Sequence, residues 1–84
     1  MTKYTPISEY LDAQPLKKRE ITLSFSRIER MLGSPLPEDA VRNSDWWANE
    51  YSPTGHVQAR AWLASGWIVD EVDQDAEWVR FVRS

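Results

Sequence analysis

Eighty-four residues allow one hydrophobic core and no more, because a chain of this size buries only a little over about 60% of its unfolded surface. A composition of 42% hydrophobic and 27% charged residues excludes a disordered tail, and the absence of cysteine excludes disulfide staples and thiolate metal sites. A net charge of −3 weighs against non-specific polyanion binding, yet the average hides an asymmetry. Residues 1–30 carry six Lys or Arg against four acids, whereas residues 66–84 carry two against five.

Thr5-Pro6 places a capping hydroxyl before a first-turn proline, and Ile7, Tyr10 and Leu11 follow at helical spacing, predicting a helix over 6–13. Pro15 ends it. Glu20 to Leu23 alternates polar and apolar around β-branched Ile21 and Thr22, as in a short strand. Ser24 can then cap a helix whose apolar face is Phe25, Ile28 and Leu32, with Leu23 stapled on Ile28 and Gly33 as the stop. Leu36-Pro37 followed by Glu38-Asp39 predicts one or two helical turns to about Asn43. Trp46 to Tyr51 reads as an extended segment. Ser52-Pro53 then opens the longest predicted helix, running to Ser65 and closed by Gly66. Two alternating stretches, Trp67 to Val72 and Glu77 to Val82, form a hairpin around Asp73-Gln74-Asp75-Ala76, with Trp67, Val69 and Glu71 assigned to one face.

These elements predict a small single α+β domain over residues 1–84, ordered helix, strand, three helices and a C-terminal β-hairpin. Such an order resembles a winged helix-turn-helix domain, in which the helix before the hairpin enters the DNA major groove and the hairpin is the wing. The link from Gly33 to Ser52 is longer than the tight turn of that motif. Small α+β domains that bind no DNA use similar strings of elements.

Four of the five tryptophans fall between Trp46 and Trp67, and each ring can contribute roughly 4–6 kcal/mol of gross burial. Trp62 and Trp67 are expected in the core. At residue level the chain resembles a small family of uncharacterised prokaryotic and phage-borne domains. The resemblance rests on Leu23-Ser24-Phe25, Gly33 with Leu36-Pro37, Trp46-Trp47-Ala48-Asn49, His56-Val57-Gln58-Ala59 before Ala61-Trp62-Leu63, Gly66-Trp67, and Val79 with Phe81 and Arg83. It implies little about activity. Members are more basic ahead of the double Trp, where this chain has Val41-Arg42-Asn43-Ser44-Asp45.

Chemistry on this chain is sparse. His56 is the only histidine, and without cysteine it could hold a metal only beside carboxylates such as Asp45 or Glu50, which lack a ligand spacing. Ser52 and Thr54 lie near His56, but no triad order, nucleophile elbow or glycine-rich phosphate loop accompanies them. The acids Asp70, Glu71, Asp73, Asp75 and Glu77 sit on or beside a hairpin tip, as in a solvated turn. No enzyme activity, metal or other cofactor is therefore expected.

Recognition is the remaining chemistry. Arg42, Trp46, Trp47, Asn49, His56, Gln58 and Arg60 combine groups that pair with base edges, contact phosphate and stack on bases. On a helix His56 and Arg60 share a side while Gln58 lies well round from them. The alternative is that both Trp46 and Trp47 are core and Asn49 caps a turn. The leading expectation is a non-enzymatic DNA-binding module that reads nucleic acid, DNA rather than RNA, with the helix at about 53–65. Arg42, Arg60 and Lys17-Lys18-Arg19 would then contact phosphates. The alternative is a protein-interaction module, such as a phage or mobile-element adaptor or inhibitor, using the acidic hairpin and any exposed Trp. No run of about 20 apolar residues and no secretory signal are present, so a cytoplasmic location without a membrane partner is expected.

Overall fold

The chain folds as a one-layer sheet carrying its helices on a single face. A computed structural model describes residues 3–50 and 57–84. In chain order these hold α1 (Thr5–Asp12), β1 (Glu20–Ser24), α2 (Phe25–Leu32), α3 (Glu38–Arg42), a 3-10 turn at Ser44–Trp47, a second at Val57–Ala59, α4 (Arg60–Leu63), β2 (Trp67–Asp73) and β3 (Trp78–Arg83). The three strands are antiparallel in the order β1-β3-β2, so the first strand closes on the last and the hairpin supplies the centre and the other edge. The α+β class and the element order agree with the sequence reading.

Local rules account for most boundaries. The Ser24 side chain accepts from the Arg27 N–H and starts α2, and Gly33 ends it at φ 72°. Gly66 closes α4 at φ 81°, after the last turn tightens through Ser65 N–H to Trp62 O and Gly66 N–H to Leu63 O. The first helix begins one residue earlier than expected, at Thr5, so the preceding residue Tyr4 and not Thr5 is the cap.

Four expectations are corrected. Trp46 is not extended: Ser44–Trp47 is a 3-10 turn capped by the Asn43 side chain, which accepts from Asp45 N–H. In a strand consecutive rings would point to opposite faces, whereas this turn sends both Trp46 and Trp47 into one core, edge to face at 4.7 Å and 73°. The long helix is also shorter. Of its expected span, the described part is a 3-10 turn followed by the four residues of α4, and Ser52 to His56 lie outside the described residues. Finally, β2 does not alternate throughout. Val69 pairs with Phe81 and Glu71 with Arg80, which leaves Asp70 as a bulge and turns the later residues over. Val72, opposite buried Val79, therefore joins Trp67 and Val69 on the inner face, and Glu71 moves outward. Glu77 belongs to the turn at φ 61° rather than to β3.

The core is threaded by a chain of rings. Tyr4 meets Trp46 edge-on at 5.6 Å, Trp47 stacks on Phe25 at 5.4 Å and on Trp62 at 5.9 Å, and Trp62 meets Phe81 at 5.7 Å. Contacts of this kind contribute about 0.5–1.5 kcal/mol each beyond burial. Trp62 and Trp67 are fully buried, as expected, with Ile7, Leu11, Leu23, Ile28 and Val79 around the rings. Arg83 fastens the link between α1 and β1: its side chain donates to Lys18 O at 2.7 Å and Pro15 O at 2.8 Å, and its guanidinium lies 4.5 Å over the Trp67 ring.

Candidate interaction surface

The residues singled out in the sequence divide between the core and the surface. Trp46 and Trp47 have their faces taken by Tyr4, Phe25, Trp62 and each other, and Trp47 Nε1 donates to Ala40 O at 2.8 Å. Gln58 is buried and its Nε2 donates to Trp46 O at 2.8 Å, tying the second 3-10 turn to the first. Asn49 is exposed as a residue, yet both ends of its amide are engaged. Oδ1 accepts from Val69 N–H at 2.8 Å and from Trp62 Nε1 at 3.0 Å, while Nδ2 donates to Val69 O at 2.9 Å. It does not cap a turn. The carboxamide stands in for a neighbouring strand on the free edge of β2 and satisfies the buried indole of Trp62.

The basic members of the set face outward. Arg42 is ion-paired with Glu38 one turn earlier on α3 at 2.9 Å, both side chains about three-quarters exposed, a pair contributing a few tenths of a kcal/mol. Arg60 is exposed on α4. His56 lies outside the described residues. The six described side chains therefore do not form a common outward patch, since Trp46, Trp47, Asn49 and Gln58 are spent on the fold.

Among the described residues, the outer face of the sheet is left without a covering element. Strand register places Glu20, Val82 and Ile68 in one outward row, Thr22, Arg80 and Glu71 in the next, and Ser24, Trp78 and Asp73 in the third. These nine residues are exposed or half-buried, and the buried core lies entirely on the other face. Trp78, Ile68 and Val82 give this surface an apolar component. Arg80 sits between them, over the Trp78 ring at 5.9 Å, and bridges Asp70 at 2.8 Å and Glu71 at 3.6 Å. The Asp70 hydrogen bond, with smaller contributions from the charges of Asp70, Glu71 and Glu20, pushes the Arg80 guanidinium above its ordinary value. The guanidinium stays charged and its charge is balanced by Asp70 and Glu71, while Glu20, Asp73, Asp75 and Glu77 leave the surroundings acidic.

The sequence carries a signal for this face that alternation alone did not disclose. In β3 each alternating set carries two apolar residues and one arginine, Val79, Phe81 and Arg83 inward and Trp78, Arg80 and Val82 outward, so each side of the strand is suited to contact. The turn 74–77 is fixed as well: Asp73 Oδ1 accepts from Ala76 N–H, Gln74 Nε2 donates to Ala40 O, and Glu77 O accepts from Phe25 N–H. Among the described residues there is no group of three or more His, Asp or Glu placed to hold a metal, and no helix long and apolar enough to cross a membrane.

Neither a curated protein nor a solved structure matches the chain. The pattern of the double Trp, the strand-capping Asn49 and the buried Gln58, Trp62 and Trp67 falls within a match to a family model that spans residues 4–84, so the chain belongs to the family described as a domain of unknown function, DUF7662.

Proposed function

We propose that the chain is a protein-interaction module whose outer sheet face receives a basic protein surface. The observation that carries this reading is the run Trp78, Arg80, Val82 on the outer side of the central strand, half-buried and ringed by Glu20, Asp70, Glu71 and Asp73. Aromatic and aliphatic anchors inside a polar rim are the usual anatomy of a binding patch, and complementary charge steers the encounter. A phosphate backbone would meet repulsion on this face.

DNA binding is the second reading, favoured by the β1-β3-β2 sheet order with exposed Arg60 on the helix that enters the hairpin. Its weakness is electrostatic, because the turn that would serve as the wing carries Asp75 and Glu77. One pair of titrations separates the two. The first reading expects saturable binding to Lys- and Arg-rich peptides bearing apolar residues, lost in Trp78→Ser while the melt is preserved, and no retention of mixed duplex or single-stranded DNA at low salt. Absence of peptide binding together with salt-sensitive DNA binding that Arg60→Ala abolishes would replace it with the second.

A further inference from the structure

The two free edges of the sheet are treated differently. On β2 the outward N–H and C=O of Val69 are both occupied by the Asn49 carboxamide, a bulge at Asp70 breaks the line, and Asp70, Glu71 and Asp73 add charge. These are the devices by which a strand edge is closed to further pairing. The β1 edge lacks the bulge and the side-chain plug: it is five residues in regular register with no proline and no lysine, and its one charge is Glu20 at the first position.

The direction of its backbone groups follows from the ladder. Arg83 N–H donates to Arg19 O and Phe25 N–H donates to Glu77 O, so residues 19, 21, 23 and 25 turn their backbone groups toward β3. The intervening Glu20, Thr22 and Ser24 turn theirs to the open edge, and these three are the exposed residues of the strand. No backbone partner meets the N–H or C=O of Glu20 or Thr22 on that side among the described residues.

We infer that this edge pairs with β1 of a second copy of the chain, antiparallel about a two-fold axis at Thr22, to give one continuous six-stranded sheet. The sequence of β1 is self-complementary in that register. Thr22 faces Thr22 of the other copy, Glu20 faces Ser24, and inner-face Ile21 faces Leu23, so no like charges oppose and the apolar face continues. Thr22 N–H to Thr22 O and Ser24 N–H to Glu20 O, each made twice by symmetry, supply four strand hydrogen bonds. An isologous contact of this kind closes on itself and does not propagate into fibres. The occupant is a second copy rather than an arbitrary peptide because one short strand supplies both halves of the match. The pairing stands apart from the reading of the outer face, which it would extend across both copies.

The test uses the chain alone: sedimentation equilibrium and light scattering across a concentration series, with hydrogen exchange at the Thr22 and Ser24 amides. The expected result is a reversible dimer and exchange at those two amides that slows as concentration rises. Thr22→Lys and Thr22→Glu each place like charges across the axis and should weaken association by about tenfold or more without changing the melt of the monomer. Their equimolar mixture should recover a heterodimer through opposite charges at the same point. A chain that stays monomeric at millimolar concentration, or a dimer indifferent to both Thr22 variants, overturns the inference.

Discussion

Replacing Asn49 with alanine removes three hydrogen bonds that join the turn after Trp47, the edge of β2 and the indole of Trp62. The Trp62 Nε1 donor belongs to a fully buried side chain, and leaving such a donor unpaired costs about 1–3 kcal/mol. The Val69 groups lie on an exposed edge where water can replace the amide, so those two bonds contribute about 0.5–1 kcal/mol each. The loss is therefore about 2–5 kcal/mol, which for a domain of this size lowers Tm by roughly 10–40 °C. Urea and thermal unfolding measure it directly. Trp62→Phe, made alone and with Asn49→Ala, closes a double-mutant cycle that isolates the indole bond, and the two variants should be less than additive by about 1 kcal/mol. A loss for Asn49→Ala below about 0.5 kcal/mol, the range of an ordinary surface substitution, would refute the account of Asn49 as a strand substitute.

Trp62→Ala should cost about 3–5 kcal/mol, since its ring lies between Trp47 and Phe81 at the centre of the aromatic chain; a cooperative melt close to that of the parent would show that the centre of the core lies elsewhere. Trp67→Phe should behave differently, because Trp67 Nε1 is the buried side-chain polar atom with no hydrogen-bond partner among the described residues, and its removal relieves a desolvation cost that offsets the lost volume. Its urea midpoint should correspond to a change within about 1 kcal/mol, against a larger loss for Trp62→Phe. Gly66→Ala should lower stability by about 1–2 kcal/mol through backbone strain alone, as φ is 81° and a Cβ there meets nothing within 4 Å; an unchanged Tm would mean that the turn relaxes.

Function also separates into what the rings do and what they leave free. A cluster of Trp, Asn, Gln and Arg has the chemistry of base recognition, and the same residues have the chemistry of a satisfied core. Nothing in their types distinguishes the two uses. The distinction lies in where each polar atom finds its partner: Gln58 at Trp46 O, Asn49 at Val69, and Trp47 at Ala40 O, each across at least 7 residues of chain.

The sequence by itself determined the elements governed by neighbours in the chain. Ser24 and Gly33 bound α2 because capping and positive φ are local requirements, Gly66 turns α4 into β2 for the same reason, and the alternation of Ile21 and Leu23 sets the inner face of β1. Tertiary structure decided the rest. The bulge at Asp70, the 3-10 turn that turns both Trp46 and Trp47 inward, and the pairing of Asn49 with β2 across 20 residues are answers to the demand that buried donors and acceptors be matched, and that demand is set only once β1 has closed on β3. The same closure left one edge blocked, one edge in regular register and, among the described residues, one sheet face without a covering element, which is why the surface available to a partner is visible in the folded chain and was hidden in its order of residues.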